Sequence, residues 1–192
     1  MIGLLGTKVG MSRVVSEEGH FIPVTYVKVD SNEVINIRTP EKNGYSALVL
    51  GVCPYAKKRK NKTYKFVREV PVDDVSNYKI GQKLDLNSII DSKEAVITAF
   101  SKGKGFQGGV KRWNFRVARK THGTKEGRHG STMNNSITGR SKPGLKMSGR
   151  MGGDQVTLHQ RKLIDINVED GVCSVKGSVP GAANGLVILK TK

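Results

Sequence analysis

The sequence predicts a mainly-β protein, with a closed β-barrel, a small inserted excursion and a long basic loop extension. Short runs rich in β-branched and aromatic residues recur through residues 1–100 and 156–192, and helical periodicity is scarce. Strands this numerous and evenly spaced favour a closed barrel, because closure removes exposed sheet edges. The β-pattern stops near Phe100 and resumes near Val156, which predicts one barrel domain interrupted by an extended basic loop at 101–155.

The strands of the first hundred residues are separated by clear turn signals. Ser16–Gly19 has the composition of a four-residue hairpin loop, and Asn43–Gly44 marks a turn before the fourth strand. Asn87–Ser92 and Asp73–Tyr78 are the best candidates for short helices. The predicted strands are Met11–Val15, Phe21–Val29, Glu33–Arg38, Tyr45–Val52 and Glu94–Phe100.

A small excursion between barrel strands is expected at 45–81. It contains a second basic cluster, Ala56–Arg68, with the sequence AKKRKNKTYKFVR. Clustered cations of this kind form an electrostatic footprint for a polyanion. The predicted second basic patch consists of Lys57, Lys58, Arg59, Lys60 and Lys62.

The last thirty residues return to the β-pattern. Leu163–Val168 and Val172–Val175 flank Asp170–Gly171, a strong short-range hairpin signal, and Gly185–Lys190 is the last strand.

The two cysteines, Cys53 and Cys173, lie far apart, each in an apolar strand-like setting. A disulfide or a metal site would need closer or more numerous ligands, so both are predicted to be buried reduced thiols. Neither a metal nor a cofactor is expected.

Positive charge is concentrated in residues 101–162. This window holds 15 of the 33 Lys and Arg but only two acidic residues, Glu126 and Asp154, a net +13 of the chain's +17. Large apolar residues are few between Thr121 and Gln155. Such a segment cannot bury enough apolar surface to offset the entropy of ordering it, so we expect it to fold against a polyanion.

Nucleic acid is the first expected partner and a membrane surface the second. No apolar run approaches the ~20 residues that span a bilayer, and the cations do not follow one face of a long amphipathic helix. Met1–Lys8 is too short and too soon charged for the apolar region of a signal peptide, so a cytoplasmic location is expected. No membrane and no homo-oligomer is predicted.

A G-x-G-x-x-G pattern occurs at Gly103, Gly105 and Gly108, directly after a predicted strand. In a dinucleotide-binding fold a helix packed on the sheet would follow. Val110–Lys120 has too many cations and too few apolar positions for that helix. The glycines are better explained by a backbone that approaches phosphates closely.

The segment Lys111–Arg116 interleaves cations with two aromatic residues, Trp113 and Phe115. Cations neutralise phosphates, and an aromatic ring stacks on an unpaired base for roughly 1–3 kcal/mol. The alternative is that both rings anchor the loop to the barrel, because alternate residues of an extended segment share a face. The residues alone leave both possibilities open.

Two histidines, His122 and His129, lie in the same loop. Zinc would need more ligands, and general-base catalysis would need a carboxylate pair or a positioned nucleophile, which Glu126 alone does not supply. RNA contact is the favoured role. The predicted RNA-binding residues of the loop are Lys102, Lys104, Lys111, Arg112, Trp113, Asn114, Arg116, Arg119, Lys120, His122, Lys125, Arg128, His129, Arg140, Lys142, Lys146 and Arg150.

These motifs make the chain resemble the universal family of bacterial large-subunit ribosomal protein three, from end to end. The segments that carry the likeness are Met1–Ser12, Ser101–Phe115, Lys146–Gly152 and Val175–Gly181, of which SKGKGF…KRWNF is the most specific. Only the basic stretch at 56–68 matches loosely.

The resemblance implies a translation-factor-like barrel, binding to large-subunit (23S-type) rRNA early in assembly, and contacts with ribosomal proteins fourteen and nineteen. It also implies a finger toward the peptidyl-transferase centre in three parts. Ser101–Lys120 would be its base, Thr121–Leu145 its outgoing arm and Lys146–Gly153 its tip. The residues implied closest to that centre are Ser148, Gly149, Arg150, Met151 and Gly152.

Arg150 departs from the pattern of some bacterial relatives, which carry an N5-methylated glutamine at this position. That modification is impossible on arginine, which instead places a full charge there.

The leading hypothesis is therefore a non-enzymatic structural constituent of the large ribosomal subunit. A dissociable RNA chaperone or translation factor with the same barrel is the alternative. An enzyme that processes nucleic acid would need a convergent set of acids, metal ligands or a nucleophile, and the most basic third holds only two acids.

Overall fold

The computed structural model describes residues 2–59, 62–117, 121–123 and 143–191, with no side chains described for 56–59. It divides into two compact units: Met1–Ser101 with Gln155–Lys192, called unit 1, and Lys102–Asp154, called unit 2. The mainly-β class is confirmed. The described strands are β1 (Ile2–Val15), β2 (Phe21–Lys28), β3 (Asn32–Arg38), β4 (Ala47–Arg59), β5 (Lys62–Pro71), β6 (Lys83–Leu84), β7 (Glu94–Phe100), β8 (Phe106–Gln107), β9 (Gly149–Arg150), β10 (Gln155–Asn167), β11 (Val172–Lys176) and β12 (Leu186–Thr191).

Six strands of unit 1 pair in a ring, in the order β1, β12, β7, β10, β11, β2, and β2 pairs back with β1. All six pairings are antiparallel. The ends of β7 and β10 meet where unit 2 is inserted, because Phe100 lies opposite Gln155. The ring is therefore completed by strands from both sides of the insertion.

The other strands of unit 1 form a four-stranded sheet in the order β5, β4, β3, β6. This second sheet begins at Asn32 and ends at Leu84, so it extends beyond the predicted excursion at 45–81 on both sides. The prediction was too small because Glu33–Arg38 has the alternation of any half-buried strand. Alternation alone does not say which sheet a strand joins.

Buried aliphatic side chains form one core across unit 1, with Leu4, Leu5, Val34, Leu50 and Ile97 fully inaccessible. The ring and the second sheet share it.

Buried Asn32 completes the hydrogen bonding of β1 beside that core. Its Oδ1 accepts from the Leu5 N–H at 2.9 Å, and its Nδ2 donates to the Leu5 carbonyl at 3.1 Å and to the Asp30 carbonyl at 2.8 Å. One side chain thus satisfies the backbone of β1 at Leu5 on the edge that faces away from β12, where the pairing with β2 has not yet begun.

Both predicted hairpins are confirmed. The Ser16–Gly19 loop closes through the Ser16 N–H bond to the His20 carbonyl, at 2.8 Å. The second turn closes through the Gly171 N–H bond to the Val168 carbonyl, at 3.2 Å, with Gly171 at φ +66°.

Helix prediction was less successful. A 3-10 helix at Leu86–Ile89 overlaps the Asn87–Ser92 candidate, but Asp73–Tyr78 is wrong, since its backbone forms only bends and turns. Asp74 hydrogen bonds locally instead, since its Oδ1 accepts from the Ser76 N–H at 3.0 Å. Two short α-helices were missed, α1 (Pro40–Asn43) and α2 (Gly109–Trp113).

Both cysteines are free thiols, but only Cys173 is fully buried. Desolvation raises the pKa of Cys173 to about 12. Cys53 is half-buried at φ +58°, and its Sγ lies 3.6 Å from Asp30 Oδ2. Burial and that carboxylate raise the pKa of Cys53 as well.

Within the described residues, no helix is both long and apolar enough to cross a membrane.

Candidate nucleic-acid interface

The two ends of the basic loop pair with each other in unit 2. Strand β8 pairs antiparallel with β9, Phe106 opposite Arg150 and Gln107 opposite Gly149. The pairing continues beyond the strands: the Lys104 N–H donates to the Met151 carbonyl and the Met151 N–H to the Gly105 carbonyl, both at 2.9 Å. This two-stranded ribbon fixes the backbone at Lys104 and Arg150, two of the residues that the sequence predicts to bind RNA.

Two glycines are required by the backbone of this ribbon. Gly105 lies at φ +68°, in the left-handed region. Gly152 lies at φ +74°, and a Cβ there would come 2.1 Å from the Lys102 carbonyl oxygen. The glycine-rich composition is thus partly a requirement of close backbone packing within unit 2, independent of any phosphate.

Helix α2 follows the ribbon and corrects one expectation. The sequence suggested an extended Lys111–Arg116, whereas Gly109–Trp113 forms one helical turn that ends at Asn114 in the left-handed conformation, φ +57°. Lys111 and Arg112 lie in the last turn, where a cation interacts favourably with the negative end of the helix dipole. Asparagine tolerates the left-handed conformation that ends the helix at Asn114. The helix needs no apolar stripe against a sheet because it has only five residues.

Trp113 and Phe115 consequently have different neighbours and share no face. The Phe115 ring would lie 2.7 Å from a Cβ built on Gly109, so it packs over the start of α2. The indole N–H of Trp113 donates to the Met147 carbonyl at 2.8 Å. Trp113 is 37 % exposed. The ring is therefore held inside unit 2 by its polar edge and keeps accessible surface for a further contact.

Two cations gather on the Trp113 ring. The Arg112 guanidinium lies 4.9 Å from the ring centroid and the Lys146 ammonium 5.7 Å from it. Arg112 also donates through Nη1 to the Met147 carbonyl at 2.8 Å, passing so close to Gly149 that a Cβ there would lie 2.6 Å from Nη1. We call Arg112, Trp113, Lys146 and Met147 the Trp113 cluster. It brings residues from both arms of the loop together.

The described part of unit 2 is strongly cationic. It has one acidic residue, Asp154, against seven cations, and all the cations but Arg112 are exposed. Such a surface attracts phosphate and repels itself, so a polyanion that binds it relieves the repulsion. The seven are Lys102, Lys104, Lys111, Arg112, Arg116, Lys146 and Arg150.

Phe106 is a candidate that the sequence analysis did not select. It is 75 % exposed, on the ribbon opposite Arg150 and two residues after Lys104. An exposed aromatic ring between cations is the arrangement that stacks on an unpaired base. The signal was available in Lys104-Gly-Phe106, but a single ring beside a lysine is a weaker pattern than the pair of rings at Trp113 and Phe115.

The three-part division of the finger separates residues that the structure brings together. Gly149 and Arg150, assigned to the tip, pair with Gln107 and Phe106, assigned to the base. Backbone pairing thus places part of the tip segment beside part of the base segment.

The remaining predicted residues fall in different places. Exposed His122 has φ +61°. Lys62 is exposed on β5 of unit 1, with Lys57, Lys58 and Arg59 on β4 but without described side chains. The predicted residues outside the described part are Lys60, Arg119, Lys120, Lys125, Arg128, His129, Arg140 and Lys142.

Metal ligands do not converge in the part of the chain that the structure describes. No group of three or more His, Cys, Asp or Glu side chains there could hold a metal ion. What the geometry offers instead is a fixed array of cations and two exposed aromatic rings.

Comparison with known proteins identifies relatives of the whole chain. Residues 72–175 match the family model of ribosomal protein L3. Large ribosomal subunit protein uL3 of Pasteurella multocida is 38 % identical over 204 residues, covering 99 % of this chain and 98 % of that protein. The uL3 protein of Treponema denticola is 39 % identical over 202 residues, covering 100 % and 97 %. That of Haemophilus influenzae strain PittGG is 38 % identical over 207 residues, covering 99 % and 98 %.

Proposed function

The chain belongs to the ribosomal protein L3 family, and from that premise we propose that it is a structural constituent of the large ribosomal subunit that binds its rRNA. The observation that carries the RNA-binding part is the composition of unit 2, whose described residues include seven cations, one acid and two exposed aromatic rings. The role needs no catalytic group. Its location is the large subunit of the cytoplasmic ribosome.

The mechanism follows from charge and burial. Every buried hydrophobic side chain in the described residues lies in unit 1, so unit 2 gains little from burial within itself. Phosphates of folded rRNA supply the missing interaction, since each neutralised phosphate releases counterions. Recognition then follows RNA shape and unpaired bases more than the edges of paired bases.

The two units have separate roles in this proposal. The six-stranded ring is a closed barrel of the translation-factor kind that fixes the protein on the subunit. Residues 101–155 form the RNA-penetrating extension, with Ser148–Gly152 nearest the peptidyl-transferase centre. Early binding of both to rRNA helps to nucleate subunit assembly. Ribosomal proteins fourteen and nineteen are the neighbouring proteins, and the chain acts as a single copy.

Sedimentation of ribosomes through a high-salt sucrose gradient tests the proposal. A structural constituent stays with the large particle at stoichiometric amount, because its contacts are buried during assembly. A dissociable RNA chaperone or translation factor moves to the top of the gradient as salt rises, and that result would overturn the proposal. An epitope-tagged chain with a known dissociable factor as the internal reference makes the two outcomes unambiguous.

A further inference from the structure

Unit 1 contains a groove that is lined by none of the individual residues predicted to bind RNA. It has a volume of about 560 Å³, within the size range of ligand sites, and its lining comes from the ring and from the second sheet. The residues that line it include Arg38, Arg68, Glu69, Phe100, Gln155 and Ile188. We call it the Phe100 groove.

Phe100 supplies an aromatic surface on a rigid support. It ends β7, opposite Gln155, and is 40 % exposed, whereas Ile97 and Ala99 of the same strand are buried. The backbone of Gly181 packs closely against that of Phe100, because a Cβ on Gly181 would come 2.8 Å from the Phe100 carbonyl oxygen. A ring fixed in this way can receive a flat partner at little entropic cost.

A cation stands over that ring. The Arg68 guanidinium lies 5.9 Å from the Phe100 centroid, and its Nη1 donates to the Val67 carbonyl at 3.0 Å. Arg68 is exposed. A guanidinium carries five N–H donors in a fork that fits phosphate, and it stacks on flat rings as well.

A carboxylate provides the complementary acceptor. Glu69 Oε1 lies 3.2 Å from Arg38 Nε, and Glu69 Oε2 accepts from the Tyr45 hydroxyl at 2.8 Å. The Tyr45 hydrogen bond and the Arg38 charge lower the pKa of Glu69, so it is ionised at neutral pH. An ionised carboxylate accepts hydrogen bonds from the amino groups of a base.

We propose that the Phe100 groove binds one unpaired nucleotide of the large-subunit rRNA, with its base stacked on Phe100 and its phosphate paired with Arg68. The inference rests on the proposed function and adds a base-binding site in unit 1. An aromatic ring, two arginines and one acceptor suit a nucleotide, which has a flat face, an anionic group and amino donors. A peptide segment of a neighbouring protein would use the apolar wall at Ile188 instead, and it is an outcome of the test.

Phe21 offers a matched control. It is also an exposed phenylalanine of unit 1, at 63 %, and it also has an arginine over its ring, since the Arg13 guanidinium lies 4.6 Å from the centroid. Replacing either ring by leucine removes an aromatic face and a cation–π contact. Only Phe100 lines the groove described here.

The test compares the full-length wild type with Phe100→Leu and Phe21→Leu in filter binding to an in vitro transcript of the large-subunit rRNA. We expect the Kd of Phe100→Leu to be about tenfold higher, because one stacked base is lost. The Kd of Phe21→Leu should be unchanged. With 4-thiouridine in the transcript, irradiation should place a nucleotide adduct on the tryptic peptide Glu94–Lys102 of the wild type.

Three results would overturn the inference. Unchanged affinity of Phe100→Leu, with no adduct on Glu94–Lys102, removes the groove site while wild-type binding keeps the proposed function. A crosslink from this peptide to a ribosomal protein in assembled subunits assigns the groove to a protein. Failure of the wild type to bind rRNA overturns both the groove site and the proposed function.

If Phe100→Leu lowers the melting temperature, Arg68→Met is measured in its place. Its Kd should also be about tenfold higher than that of the wild type, and Arg13→Met is its control.

Discussion

Units 1 and 2 are stabilised in different ways. Unit 1 encloses a continuous aliphatic core, and even its buried Asn32 is fully hydrogen bonded to the backbone. In the described residues, unit 2 is held by the β8–β9 pairing, the glycine contacts and the two bonds to the Met147 carbonyl. Burial stabilises a fold without a partner, whereas a cationic ribbon gains most of its stabilisation when an anion arrives.

The largest expected effect comes from removing unit 2. Replacing residues 102–154 by a four-residue glycine-rich turn should preserve unit 1, because Phe100 already lies opposite Gln155. We expect rRNA affinity to fall about a thousandfold at moderate salt, since seven described cations are lost. Filter binding measures the affinity and thermal unfolding the stability. A variant that loses its cooperative melting would show that unit 1 depends on unit 2.

The reverse change weakens unit 1 and spares unit 2. Ile97→Ala empties a fully buried site and should lower the free energy of unfolding by about 3 kcal/mol. Denaturant unfolding measures this loss, with Ile80→Ala, at an exposed isoleucine, as the control of the same chemistry. Affinity for rRNA under folded conditions should stay within about twofold. An Ile97→Ala protein with unchanged stability would contradict the comparison.

The exposed Phe106 ring of the ribbon should contribute to rRNA affinity and not to the stability of the protein. Phe106→Leu removes a stacking face and should weaken rRNA binding about tenfold, with the melting temperature unchanged because the side chain is 75 % exposed. Val15→Ala, at an exposed site of unit 1, is the control for loss of apolar surface. Equal affinities of wild type and Phe106→Leu would restrict the RNA contact to the cations.

Alkaline pH should act on unit 1 through Cys173. Burial raises its pKa from about 9 to about 12, so between these values the unfolded thiol loses its proton while the folded one keeps it. The contribution of this thiol to the free energy of unfolding is fully present below pH 9. Between pH 9 and 12 it falls by about 1.4 kcal/mol per pH unit. Denaturant unfolding of wild type and Cys173→Ala from pH 8 to 10.5 measures the difference. Parallel curves would show that the thiol is not desolvated.

The smallest effect concerns a single phosphate. Arg150→Gln should lower the slope of log affinity against log salt by about 0.7–0.9 and the affinity by two- to threefold, because one exposed cation is removed from the ribbon. Lys79→Gln, at an exposed lysine of unit 1, is the control and should leave the slope unchanged. An unchanged slope for Arg150→Gln would mean that Arg150 touches no phosphate.

Strands were predictable where local chemistry decides. Glu94–Phe100 was predicted with the bounds of β7, because its β-rich composition and its flanking turns agree. β1 was recognised only from Met11 although it begins at Ile2, since its glycines weaken the β-signal. Those glycines serve tertiary contacts: a Cβ on Gly3 would come 2.2 Å from Val70 Cγ1.

The candidate site was predictable as a set of cations but not as an arrangement. Charge and composition alone select Lys102, Arg112 and Lys146. They could not show that Arg112 and Lys146 meet on one indole ring, because that contact joins residues 34 positions apart. Phe106 was missed for a similar reason: whether its ring is exposed depends on which other residues of the folded chain pack against it.

The sequence by itself determined the β-class, the interruption of the β-pattern between Phe100 and Val156, the excess charge between them and the family. All of these depend on residue types and their order. Only the tertiary structure decided that β3 joins the second sheet, that Gly149 and Arg150 pair with Gln107 and Phe106, and that Phe100 faces a groove. Those features are long-range contacts, which depend on three-dimensional packing and leave no periodic signal in the chain.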